Sequence, residues 1–414
     1  MGPFRFEGLR GALFAFLCLW LGGLIFWGNN PDSFFQRHRI KNLPFGFLLS
    51  PEGGVQIQDF ALNLVYFHGI QERLVPHPYR LDDQEKLLRH LLFGMTSGLS
   101  HGYSPVAFVL ALPLLPLSGA QAYLIYVLAG AAGILLLFHF YLLPRVEHPA
   151  QLYALALCAV SVCLALTFAL GQSAMITTSL LGFFWMLLQD HDKSDPWRMD
   201  LGLALLFWML CLKPNVGAVA AALLLGARAW RPLVIGGALL ALTWIAIAPF
   251  YGGWWTGLQD YFYLLNHYNN ADFTPFMRRD YVPGHDEEIR GLFVFDRAAM
   301  AVGTLILLVL RWSRRITLSE LFQGMIGIFL LFSPYLLPSE DWVLCLLVVE
   351  GAFFRPASRL AAYGKLLLLF GIMDLRAGMI IPWQINFELK LILFGWMAAE
   401  ALWRRMEKKI PAPS

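Results

Sequence analysis

The sequence predicts an all-α polytopic membrane protein with about twelve transmembrane helices, and three observations carry that expectation. Of its 414 residues, 58% are hydrophobic and only 14% are charged, whereas soluble domains run near about 25% charged. Mean hydropathy is +0.59. Apolar runs of membrane-crossing length recur along the chain, and Lys and Arg fall in alternate short links between them. The chain reads as one integral membrane domain over residues 1–414, with no soluble part large enough to fold alone.

A bilayer core requires roughly 17–25 apolar residues per helix. Spans are expected near 10–27, 119–142, 150–170, 174–189, 200–212, 216–230, 233–249, 297–311, 320–337, 342–354, 360–375 and 387–403. The first follows Arg5 and Arg10 in the manner of a signal peptide, but "GNNPDSFF" offers no small-residue cleavage site, so an uncleaved span is expected. Arg145, Lys193/Arg198, Arg228/Arg231, Arg311/Arg314/Arg315, Arg355/Arg359 and the basic tail then share one side, which the positive-inside rule makes cytoplasmic. The turns "GQS", "KPN" and "PSED" and two long loops, 28–118 and 250–296, fall on the extracytoplasmic side. Residues 104–117, "SPVAFVLALPLLPL", are apolar but interrupted by Pro105, Pro113 and Pro116, which favours a re-entrant or interfacial piece over a crossing.

A net charge of +3 without a basic stripe argues against nucleic acid as a partner. Five cysteines, all in apolar runs and without metal-type spacing, point to neither a disulfide framework nor a zinc site. There is no GxxxxGK[ST] loop, HExxH or GxSxG, so an enzyme here is expected to use carboxylates and cations, with no cofactor and no metal.

Ionisable groups at membrane depth are costly and point to function. Asp59, in "GGVQIQDFALNLVYFHG", opens an expected interfacial helix on which Asn63, Tyr66 and Arg73 share its stripe, while Phe60, Leu64 and Phe67 lie on another face. The plainer reading makes Asp59 a helix N-cap. Lys213 in "MLCLKPNVG" ends a span at the outer interface, where it is either a snorkelling lysine or an anion ligand. Gln172 sits in the tight outer turn "FALGQSAM". In the second loop, Asp260, Asp272, Asp280, Asp286, Glu287 and Glu288 with Arg278 and Arg279 read mostly as a solvated network. Arg290, just before an apolar run, suits bidentate phosphate recognition. Glu340 and Asp341 reach the same level in "SPYLLPSEDW", where a hydrated short loop is the plainer reading.

Taken in order, "QDFALNLVYF", "YSPVAFVLALPLLPL", "LGQS", "LKPN", "EEIRGLF" and "LFSPYLLPSEDW" resemble the GT-C membrane glycosyltransferases. Within them the chain is similar to the polyprenyl-phosphate-mannose-dependent α-mannosyltransferases of glycosyltransferase family 87. Two positions depart from the family pattern: Ala174 stands where an Asn is usual, and Ser339-Glu340-Asp341-Trp342 replaces an aromatic-plus-His turn.

The resemblance implies a GT-C-like fold with interfacial helices in the first loop. It also implies inverting transfer of a monosaccharide, mannose in the first instance, from a polyprenyl-phosphate donor to a glycan or glycolipid acceptor. The protein would lie in a bacterial plasma membrane among lipids, with its site extracytoplasmic. Asp59 would be the catalytic base, Lys213 and Arg290 the donor-phosphate ligands, and Asn63, Tyr66, Tyr103, Gln172 and Asp341 substrate ligands. The alternatives are a transporter or flippase of a lipid-linked sugar, and a lipid-linked glycan polymerase or ligase.

Overall fold

The structure, a computed structural model, describes residues 3–29, 47–49, 55–57, 59–80, 82–84, 86–87, 103–117, 119–170, 172–191, 196–267, 286–333, 338–350, 359–375 and 383–407. The chain divides into two compact units, one of residues 18–135 and 166–276, the other of residues 1–17, 136–165 and 277–414.

Helices dominate both. Helix α1 (Pro3–Asn29) buries a narrow stripe of Leu13, Leu17, Leu21 and Leu24, and leaves apolar side chains such as Phe16 and Leu19 exposed. An apolar helix that does not bury its own surface requires an apolar solvent, which is the bilayer condition. Three helical stretches are long and apolar enough to cross a membrane: Glu7–Ile25, Gln121–Arg145 and Trp230–Phe250. Several shorter apolar helices accompany them.

In the unit of residues 18–135 and 166–276, the first long loop contains a small antiparallel hairpin, β1 (Phe47–Leu49) with β2 (Val55–Ile57), pairing Phe47 with Ile57. The sequence reading expected only helices there. Helix α2 (Asp59–Gln71) follows, then α3 (Pro105–Ala111), α4 (Gly119–Leu137), α6 (Val162–Leu170), α7 (Ala174–Asp190), α8 (Pro196–Leu210), α9 (Pro214–Ala227), α10 (Trp230–Ile247) and α11 (Trp254–His267); α5 belongs to the other unit. Helix α2 differs from the expected wet-faced interfacial helix. Phe60, Leu64 and Phe67 are buried, and so is Tyr66, because Phe60 packs on Tyr123 and Tyr126 of α4 and Phe67 on Phe108 of α3. The helix also stops before Arg73, which adopts left-handed backbone (φ 55°) and stacks over Phe250, so Arg73 does not continue the Asp59 stripe.

The proline-rich piece is a short helix. Ser104 caps α3, accepting from the Val106 amide, and Pro105 sits in the first turn, where its missing N–H costs nothing. A 3-10 turn at Leu112–Leu114 follows. Seven residues rise only about 10 Å, a third of the bilayer core, so α3 cannot cross by itself. Helices α8 and α10 meet at Gly236, where an added Cβ would fall 3.0 Å from the Ala204 carbonyl, and Trp208 Nε1 donates to Thr243 Oγ1 at 2.8 Å. Helix α9 ends on Arg228 in left-handed conformation. Beyond α7, His191 lies 2.7 Å from Asp200, which Arg231 also approaches.

In the other unit, α5 (Pro149–Val160) precedes the start of α6, followed by α12 (Asp286–Trp312), α13 (Leu318–Phe332), a 3-10 turn (Pro338–Val343), α14 (Leu344–Val348), α15 (Arg359–Phe370) and α16 (Trp383–Glu407). Two expected spans are altered here. The 150–170 span breaks at Ser161, whose extended backbone is stabilised by donation to the Cys158 carbonyl, while the freed Val162 amide donates to Asp374. The 342–354 span is, in its described part, a 3-10 turn and the five-residue α14. Helix α12 begins at Asp286, so the end of the second long loop is helical. Charges among these apolar helices are paired, as burial demands: Lys365 with Glu400 and Lys390 with Asp341, each at 2.5 Å. Glu350 lies between Tyr141, Ser319 and Arg145. At the chain ends Arg10 donates to the Val146 carbonyl and Arg405 to Glu320.

Candidate active site

Three of the turns predicted to face outward converge in the unit of residues 18–135 and 166–276. The backbone amide of Ser104 donates to the Leu212 carbonyl at 3.1 Å, and its hydroxyl donates to the Cys211 carbonyl at 2.5 Å. These bonds tie the "YSP" turn to the "LKPN" turn. Tyr103 then lies with its ring 5.8 Å from the Lys213 ammonium and its hydroxyl 2.9 Å from Ser173 Oγ, which joins the "GQS" turn. Pro214 in the first turn of α9 fixes the backbone that carries Lys213.

The result is a compact group of buried polar side chains: Ser104, Gln172, Ser173 and Lys213 are all less than a tenth exposed. A lysine held at 8% exposure in an apolar setting does not snorkel freely into water. Its ammonium is a fixed positive charge beside a π face, an arrangement suited to an anion. The Gln172 Oε1 is buried with no hydrogen-bond partner among the described residues, a group that a substrate hydroxyl would satisfy.

Helix α2 packs on neighbouring helices of the same unit. Phe60, the second residue of the helix, rests on Tyr123, and the Tyr123 hydroxyl donates to the carbonyl of Phe168, just upstream of Gln172. Asn63 is partly exposed on the same helix and Tyr66 is buried. The side chains of Asp59 and Arg290 lie outside the described residues. Arg290 and Asp341 belong to the other unit, where Asp341 is buried and ion-paired with Lys390. Thus Tyr103, Gln172 and Lys213 are brought together, in the same unit as α2.

Sequence reasoning missed a second layer. Asp260 was counted in a solvated network, yet it is 7% exposed. Its Oδ1 accepts from Arg80 Nε at 2.9 Å and its Oδ2 lies 3.1 Å from His77 Nδ1. The turn that follows α10 makes this possible: Gly252, at φ +74°, lies so close that a Cβ would meet both His77 Nδ1 and the Pro76 carbonyl at 2.9 Å. Beside Arg80, Tyr79 stacks on Tyr251 and meets Tyr261 in a tilted contact, each with ring centroids 4.8 Å apart, and donates to the Tyr103 carbonyl at 3.2 Å. Burial raises the Tyr79 phenol well above its ordinary value, with the neighbouring tyrosines adding to the shift. The signal available in the sequence was the "HPYR" run in the first loop and the "YGGWW" turn in the second, neither of which announces its partner.

No curated protein and no solved structure matches this chain. Residues 101–334 match glycosyltransferase family 87. The matched segment holds Tyr103, Gln172, Ser173 and Lys213, the residues that converge, while Asp59 precedes it. With more than half its length matched and three of its turns assembled into one polar group, the chain belongs to glycosyltransferase family 87.

Proposed function

We propose that this glycosyltransferase moves a monosaccharide, mannose in the first instance, from a polyprenyl-phosphate donor to a glycan or glycolipid acceptor on the extracytoplasmic face. The observation that carries the reading is the buried Lys213 ammonium beside Tyr103 and the Ser173–Gln172 turn. A lipid-linked phosphate presents its charge at bilayer level, where a fixed cation in a water-poor setting interacts most strongly.

In the proposed reaction the acceptor hydroxyl gives its proton to the Asp59 carboxylate as its oxygen bonds to the anomeric carbon. The bond from that carbon to the phosphate oxygen breaks with inversion, and its electron pair leaves on polyprenyl phosphate. Lys213 stabilises the negative charge that develops there. Gln172 and Tyr103 hold sugar or phosphate oxygens, and Asn63 and Tyr66 of α2 are the further substrate ligands that the family resemblance implies. Arg290 as a second phosphate ligand and Asp341 as a substrate ligand rest on the family resemblance.

Sidedness is supported by which links touch. Arg80 of the first long loop pairs with Asp260 of the second, and the "YSP", "LKPN" and "GQS" turns bond to one another. Among the links assigned to the cytoplasm, Arg10 meets Val146, Arg231 approaches Asp200, and Arg405 meets Glu320. Family membership sets the transporter reading aside.

The test is a transfer assay with purified protein in lipid nanodiscs, supplied with polyprenyl-phosphate mannose, polyprenyl-phosphate glucose and a nucleotide sugar. Transfer from a lipid-phosphate sugar alone supports the proposal; transfer from the nucleotide sugar alone overturns it.

A further inference from the structure

A groove of about 730 Å³ opens beside the second layer, lined by Arg80 and Asp82 of the first loop and by Trp255, Leu258, Gln259, Asp260, Phe262 and Tyr263 of α11. That volume is typical of a small-molecule site, roughly 300–1,000 Å³. Three aromatic rings line it, and among them stand two carboxylates, an amide and a guanidinium. The polar groups are held in place: Asp260 is buried, and its bond to Arg80 Nε orients the guanidinium.

We infer that this groove binds the acceptor glycan, with hexose rings lying on Trp255, Phe262 and Tyr263 and their hydroxyls bonded to Asp82, Gln259 and Arg80. Sugar rings have an apolar C–H face that packs on the negative face of an aromatic ring, and hydroxyls that both donate and accept. A groove alternating rings with carboxylate, amide and guanidinium matches both. Lipid chains would find the same carboxylates unfavourable. The groove also lies next to the proposed transfer site: Tyr79, whose hydroxyl donates to the Tyr103 carbonyl, is the neighbour of Arg80 on its wall. This inference rests on the glycosyltransferase reading and names where its second substrate docks.

Adjacent tryptophans allow a clean test. Trp254 and Trp255 are equally exposed, at 60% and 55%, but only Trp255 lines the groove. A membrane-anchoring helix would use both. Protein in nanodiscs is titrated with soluble α-linked mannotriose, followed by saturation-transfer NMR, and mannotriose is then used as acceptor in the transfer assay. Trp255→Ala and Tyr263→Ala are each expected to weaken mannotriose binding and raise its KM by about tenfold, with the donor KM unchanged. Trp254→Ala should match wild type. The inference is overturned if wild type does not bind mannotriose, if the groove variants bind it as wild type does, or if Trp254→Ala loses as much as Trp255→Ala. Should the binding pattern hold while no lipid-phosphate sugar is transferred, the groove stands and the proposed donor fails.

Discussion

Replacing Lys213 with Met keeps an unbranched side chain of similar length in the buried site but removes the ammonium. In the folded protein the loss includes the contact with the Tyr103 ring at 5.8 Å, about 0.5–2 kcal/mol, while the variant no longer buries a charge. Thermal unfolding reads that structural loss separately from catalysis. In the transition state the loss is larger, because phosphate charge develops where the ammonium is fixed. Removing one such donor costs about 3–4 kcal/mol, or 10²–10³ in rate. Lys213→Arg, which keeps the charge, should recover part of it. The assay is kcat/KM for polyprenyl-phosphate mannose, with thermal unfolding measured in parallel. A Lys213→Met enzyme within about threefold of wild type, less than 1 kcal/mol, would refute the phosphate role and leave Lys213 a structural lysine.

Ser104→Ala removes both the cap on α3 and the bond to the Cys211 carbonyl, so it should cost about 0.5–2 kcal/mol of stability and reduce turnover by displacing Tyr103; thermal unfolding and kcat read the two effects. The Tyr79 phenol titrates higher in the folded than in the unfolded protein, so its stabilisation is complete below about pH 10 and lost as pH rises above it. Tyr79→Phe should flatten that alkaline decline in thermal unfolding, and an unchanged decline counts against the assignment. Cysteine-accessibility labelling should place residues 290 and 414 on opposite sides of the membrane; labelling of both from one side would sink the topology.

Much of this architecture was legible because bilayers impose simple rules. Apolar runs and alternating Arg and Lys marked the helices now seen at Gly119–Leu137, Ala174–Asp190 and Trp230–Ile247. Of the three site residues that meet, Gln172 and Lys213 stood out as polar groups at turns expected to face outward, and Tyr103 through the family resemblance. What was hidden depends on tertiary contacts. Ser161 breaks a uniformly apolar run because Asp374, far along the chain, accepts the freed amide. Tyr66 looked like one member of a wet stripe, but α2 is buried on more than one face by packing against α3 and α4. Asp260 resembled its solvated acidic neighbours, and only the Gly252 turn that brings His77 and Arg80 to it makes it a buried ion-pair partner.

The central claim is that Asp59 is the base of sugar transfer, and the Asp59→Asn variant tests it most directly. Asn keeps the size and a capping oxygen while removing basicity, so a helix-capping role predicts near wild-type turnover. The account predicts that purified Asp59→Asn folds, keeps its donor KM, and loses about 10²–10⁴ in kcat, with or without chelator. Transfer from polyprenyl-phosphate mannose at the wild-type rate would contradict it.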